Sequence, residues 1–66
     1  MNKIAGYRKM LGKSQKSMAQ VFNISTQSYR MKENGYVNFN KEEMLKFKEL
    51  LQKELFLSIT IDEIFF

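Results

Sequence analysis

Ser14-Gln15-Lys16-Ser17-Met18-Ala19-Gln20-Val21-Phe22-Asn23-Ile24-Ser25-Thr26-Gln27-Ser28-Tyr29-Arg30-Met31-Lys32-Glu33-Asn34-Gly35 is the stretch that decides the fold. Its apolar periodicity and capping residues describe two short helices. Ser14 is a natural N-cap, and Met18, Ala19 and Phe22 follow at helical spacing until the segment ends near Phe22. Asn23-Ile24-Ser25 reads as a tight turn. Asn23 is the best non-glycine candidate for a left-handed conformation, Ile24 is apolar enough to tuck inward, and Ser25 can cap the second helix. That helix covers about Thr26 to Glu33 and is closed by Asn34-Gly35. Met18, Ala19, Ile24 and Tyr29 then hold the pair in a fixed crossing. Ala19 lies where the helices approach most closely, and a larger side chain there would push them apart.

Outward from this core the chain keeps a helical pattern. Upstream, a helix is predicted from about Asn2 to Leu11, with Ile4, Tyr7, Arg8 and Leu11 on one side, and Gly12 stands where a helix end wants positive φ. Downstream, Asn40 to Glu43 has the form of a capping box before a longer helix with Met44, Phe47, Leu51 and Leu55 along one stripe. Thr60 to Glu63 is a second capping box, opening a final turn with Ile61, Ile64 and Phe65. There is no proline, no repeat and no low-complexity tract. Five helical segments without a convincing strand predict an all-α fold, one compact domain over residues 1–66.

A chain of this length buries only about 60% of the surface it exposes when unfolded, so its stability margin is thin. With no cysteine, neither a disulfide nor a thiolate metal site can supplement that margin, whereas dimerisation could. The absence of cysteine fits a reducing cytoplasm better than a secreted mini-protein. No signal peptide is expected, because Lys3, Arg8 and Lys9 interrupt the first eleven residues. Ser58, Thr60, Asp62 and Glu63 break the apolar run from Leu55 to Phe66, so the chain reads as soluble, with no membrane span. Charge is uneven. Residues 1–36 carry seven Lys or Arg against Glu33 alone, a net +6, and residues 37–66 carry four Lys against six carboxylates, a net −2. Such a division suits one face toward a polyanion and another toward protein, although ordinary solvated surface would look the same.

The second helix of the pair presents its N-terminal residues outward, a geometry that lets a helix enter the major groove of B-DNA. In its residues from Gln15 through Met18, Ala19, Phe22, Ile24, Ser25, Tyr29 and Glu33 to Gly35, this stretch resembles the helix-turn-helix of the phage Cro/C1 repressor class, also called the xenobiotic-response-element class. The resemblance extends upstream through Ile4, Tyr7, Arg8 and Gly12. It extends downstream to Ile59–Phe65, which is similar to the closing helix of such domains. It implies a five-helix, lambda-repressor-like domain with its helix-turn-helix at residues 15–33. Three departures stand out: Asn23 replaces the usual turn glycine, Lys32 stands where a large apolar residue is usual, with Phe39 or its neighbours available to fill the gap, and the helix after Asn40 is longer than is common. The pattern from Tyr29 to Gly35 with Phe39 resembles a subgroup found in phages of Gram-positive bacteria.

Carried over residue by residue, the resemblance implies base contacts from Thr26, Gln27, Met31 and Arg30. Gln27 could bind adenine bidentately, while the methyl groups of Thr26 and Met31 could meet a thymine methyl. It implies backbone contacts from Ser14, Gln15, Ser28, Lys32, Asn34 and Tyr36, which fix register without reading sequence. Arg8 and Glu33 match a pair that forms an internal salt bridge in relatives. Several roles stay open: Met31 could instead fill the core, Arg30 could reach a base or a phosphate, and Lys32 could bind a phosphate or lie over apolar surface. Phe22, Phe39, Phe47 and Phe56 fit a core better than a stacking platform for single strands. Phe65-Phe66 either folds back or lies near a dimer surface.

The implied function is a sequence-specific regulator of transcription, a Cro-like repressor on double-stranded operator DNA, cytoplasmic and homodimeric at least on DNA. The competing reading is a protein-interaction module of the same fold, antirepressor or antitoxin-like, against which the +6 charge of residues 1–36 speaks. An enzyme is disfavoured, since histidine, cysteine, a Gly-rich phosphate loop and a metal-ligand cluster are all lacking, and no cofactor is implied.

Overall fold

Capping residues set the helix boundaries throughout. The computed structural model describes residues 2–55 and 58–66. Among these it contains five helices and no strand: α1 (Lys3–Met10), α2 (Gln15–Phe22), α3 (Thr26–Glu33), α4 (Lys41–Glu54) and α5 (Ile61–Phe65). Asn2, Ser14, Ser25, Asn40 and Thr60 are the five N-caps, each accepting the backbone N–H three residues on. At α4 and α5 the box closes both ways, through the side chains of Glu43 and Glu63.

The first three helices end alike. Gly12, Asn23 and Gly35 are the residues with positive φ among those described, at 72°, 58° and 88°. At each, two backbone bonds close a Schellman motif: Gly12 and Lys13 donate to Lys9 and Arg8, Asn23 and Ile24 to Gln20 and Ala19, and Gly35 and Tyr36 to Lys32 and Met31. Asparagine at the middle position shows that the turn needs a left-handed residue, not glycine specifically.

α2 and α3 pack closely on each other, and Ala19 of α2 is buried. Around them one apolar cluster gathers Met18, Phe22, Tyr29, Phe39, Phe47, Leu51, Ile59 and Ile64. Its centre is aromatic: the Phe22 ring lies 5.9 Å from Tyr29, 6.0 Å from Phe39 and 6.2 Å from Phe47. Phe39 arrives from the loop before α4 and also meets Tyr29 edge-on, which supplies apolar bulk beside the position held by Lys32.

α5 packs on α1 and α4 and divides the chain's last two residues. Phe65 turns inward against Phe39 and Phe47, at 5.3 and 5.8 Å, whereas Phe66 is 79% exposed. The predicted stripe of α4 is buried at Phe47 and Leu51 and half-buried at Met44. It stops short of Leu55, which is 41% exposed. Leu55 is the C-cap, at φ −131° and ψ −50°, so helical phase no longer carries its side chain inward. Phe56, expected in the core, lies outside the described residues. No helix among the described residues is long and apolar enough to cross a membrane.

Candidate nucleic-acid interface

The side of α3 that faces the core fixes the side that faces out. Tyr29 and Glu33, one turn apart, are the buried residues of α3. At about 100° per residue, Gln27 and Met31 then fall nearly opposite them. Both are exposed, Met31 at 40%, so its side chain lies on the outer face and not in the core. Arg30, Ser28 and Asn34 are exposed around the same face, and Thr26, in the first turn, is half-buried.

A buried carboxylate anchors the arrangement. Glu33 Oε1 accepts from Arg8 Nε at 2.7 Å and from the Tyr29 hydroxyl at 3.2 Å, and Gln15 Nε2 donates to Oε2. Asn2, the cap of α1, donates to the Glu33 carbonyl at 2.7 Å, and Arg8 Nη1 reaches the Lys13 carbonyl at 2.9 Å. One side chain thus ties α1, α2 and α3 together. Burial pushes the Glu33 pKa up, but the hydrogen bonds from Arg8 and Gln15, the Arg8 charge and the Tyr29 hydroxyl outweigh it, so the carboxyl sits below its ordinary value. The Tyr29 phenol moves the other way, raised first by burial and then by the Glu33 charge.

The residues expected at the DNA backbone are distributed unevenly. Ser14 caps α2 and also bonds the Ser17 hydroxyl, at 3.1 Å. Gln15, in the first turn of α2, donates to Glu33 and accepts from Arg30 Nε at 3.3 Å, so it spans from the core to the outer face of α3. Asn34 is the exposed C-cap of α3, and Tyr36 is 79% exposed just beyond it. Lys32, expected to bind a phosphate or to lie over apolar surface, is held in an ion pair and lines a cavity with Ile4, Phe39 and Met44. Its Nζ is 2.6 Å from both oxygens of Glu43, and its side chain is only 14% exposed. The physical reason is Glu43, which the α4 capping box draws inward and which needs a counter-ion there.

Ion pairing narrows the basic surface. Of the seven cations in residues 1–36, Arg8 and Lys32 are paired with Glu33 and Glu43. Among the described residues Lys3, Lys9, Lys13, Lys16 and Arg30 form no ion pair. Lys16, not singled out in the sequence, is exposed in the first turn of α2 next to Gln15.

The Helix-turn-helix family matches residues 4–57, which include α1 from Ile4 onward, α4 and the whole α2–turn–α3 unit. The chain belongs to the Cro/C1-type helix-turn-helix family. It is therefore a DNA-binding regulatory domain of that type, a class not typically enzymatic. No curated protein and no solved structure matches the chain significantly. In this Cro/C1-type domain the turn between α2 and α3 and the buried Glu33 leave the outer face of α3 exposed.

Proposed function

We propose that the protein is a sequence-specific repressor of transcription, Cro-like and phage- or prophage-derived, acting in the cytoplasm as a homodimer on a short operator. In this reading residues 1–66 act as one domain and α3 lies in the major groove. Gln27, Met31 and Thr26 meet base edges, Arg30 contacts the DNA, and Ser14, Gln15, Ser28, Asn34 and Tyr36 meet the backbone. Lys32 would have to leave Glu43 to reach a phosphate.

The observation that carries the reading is the outer face of α3. Gln27 and Met31 are exposed opposite a side pinned to the core by Tyr29 and Glu33. Lys3, Lys9, Lys13, Lys16 and Arg30, in no ion pair among the described residues, lie in the same half of the chain and support it.

The test is a fluorescence-anisotropy titration of wild type and Gln27→Ala. It uses DNA from the protein's own promoter region and a scrambled duplex, at two salt concentrations. Tight promoter binding is expected from wild type. Gln27→Ala should lose about 1–3 kcal/mol of the preference for promoter DNA while keeping the salt-dependent background. Equal, weak binding of wild type to both duplexes would refute specific readout and favour an interaction module of the same fold.

A further inference from the structure

Arg30 is the exposed cation of α3's first two turns, and its orientation is set from the core. An ionised carboxylate only accepts hydrogen bonds. Glu33 therefore obliges Gln15 to turn its NH2 group inward, because the amide carbonyl would meet an anion. Gln15 Oε1 then faces away from Glu33 and accepts Arg30 Nε at 3.3 Å. With Nε engaged, Arg30 keeps Nη1 and Nη2 as a two-pronged donor, in no ion pair among the described residues.

The position of Arg30 on the helix says where that fork points. It lies about 60° around α3 from Gln27 and about 100° from Met31, on the flank toward α2. A helix seated in the major groove turns its outer midline to base edges and its flanks to the backbones. Resting on the reading of α3 as the recognition helix, we propose that Arg30 is a phosphate clamp aimed by the Glu33–Gln15 relay, not a reader of bases. Gln15 is the positioning residue of this relay: it sets one guanidinium orientation before DNA arrives.

A double-mutant cycle on DNA affinity tests this with Arg30→Ala, Gln15→Met, the double variant and Arg30→Lys. Each is titrated on promoter and scrambled DNA across a salt series, with thermal melts to establish that it is folded. Arg30→Ala is expected to weaken both duplexes by the same factor, about tenfold, as for one charge-assisted contact. It should also flatten the slope of log affinity against log salt by about 0.9. Arg30→Lys keeps the slope but recovers only part of the affinity. Gln15→Met weakens binding more in the wild-type background than once Arg30 is alanine, where only the direct backbone contact of Gln15 is left to lose. A loss by Arg30→Ala confined to promoter DNA, and abolished by changing one base pair, would overturn the clamp. An equal effect of Gln15→Met in both backgrounds would overturn the relay. If wild type fails to prefer its promoter, the recognition-helix reading falls and the inference falls with it, an outcome visible before any variant is compared.

Discussion

Glu33 shows how much of this small protein depends on one charge. Its carboxylate is buried, yet each oxygen has a donor, and those donors come from three helices. Glu33→Gln is expected to lower the unfolding free energy by about 3 kcal/mol, because the Arg8 guanidinium stays buried without its counter-ion. A urea midpoint close to that of wild type would contradict this. The pH dependence has a definite sign. Because the folded-state pKa of Glu33 lies below its ordinary value of 4.5, its contribution is complete above that pH and is lost as pH falls through the folded-state value. The Tyr29 phenol has a raised pKa, so its contribution holds below its ordinary value of 10.0 and fades as pH rises beyond it. Thermal melts across pH should therefore show an acid limb that Glu33→Gln flattens and an alkaline limb that Tyr29→Phe flattens. The Arg8–Glu33 match was visible in the sequence through family resemblance alone. Lys32–Glu43 was not, since Glu43 already had a local role in the capping box and nothing in the spacing of 32 and 43 puts them together.

At the scale of elements, legibility followed local chemistry. Ser14, Ser25, Asn40 and Thr60 announced four helix starts because capping is a short-range hydrogen bond between residues three apart. Asn2, expected inside α1, is its cap, a one-residue difference at a terminus with no apolar periodicity before it. The exposure of Leu55 could not be read from periodicity, which does not say where a helix without a glycine stop will end. The turn between α2 and α3 invites a direct check. Asn23→Ala is expected to cost about 1 kcal/mol or more, the penalty of a Cβ in a left-handed conformation, while Asn23→Gly should be neutral or better. Ala19→Leu should cost about 1–3 kcal/mol by forcing α2 and α3 apart. It should also weaken promoter binding beyond what its lost stability explains. Chemical denaturation monitored by circular dichroism measures both variants, and an Asn23→Ala protein as stable as Asn23→Gly would contradict a left-handed requirement at the turn.

Across the whole molecule, charge and core divide the chain. The cations of residues 1–36 that no carboxylate neutralises sit in the same half as α3, whereas the acidic C-terminal half supplies α4, α5 and much of the aromatic core. Promoter affinity should accordingly fall steeply with salt, by about 0.9 log unit per log unit of salt for each phosphate these cations meet. Phe66 is exposed beside an inward Phe65. The most direct test of α3 as the reading element is a nuclear magnetic resonance titration of the labelled protein with its own promoter duplex. The largest amide and side-chain shifts are expected at Gln27, Met31, Arg30 and Gln15, with Lys48 and Glu49 on α4 unmoved. Shifts concentrated on α4 and α5, with Gln27 and Met31 unchanged, would contradict α3 as the reading helix.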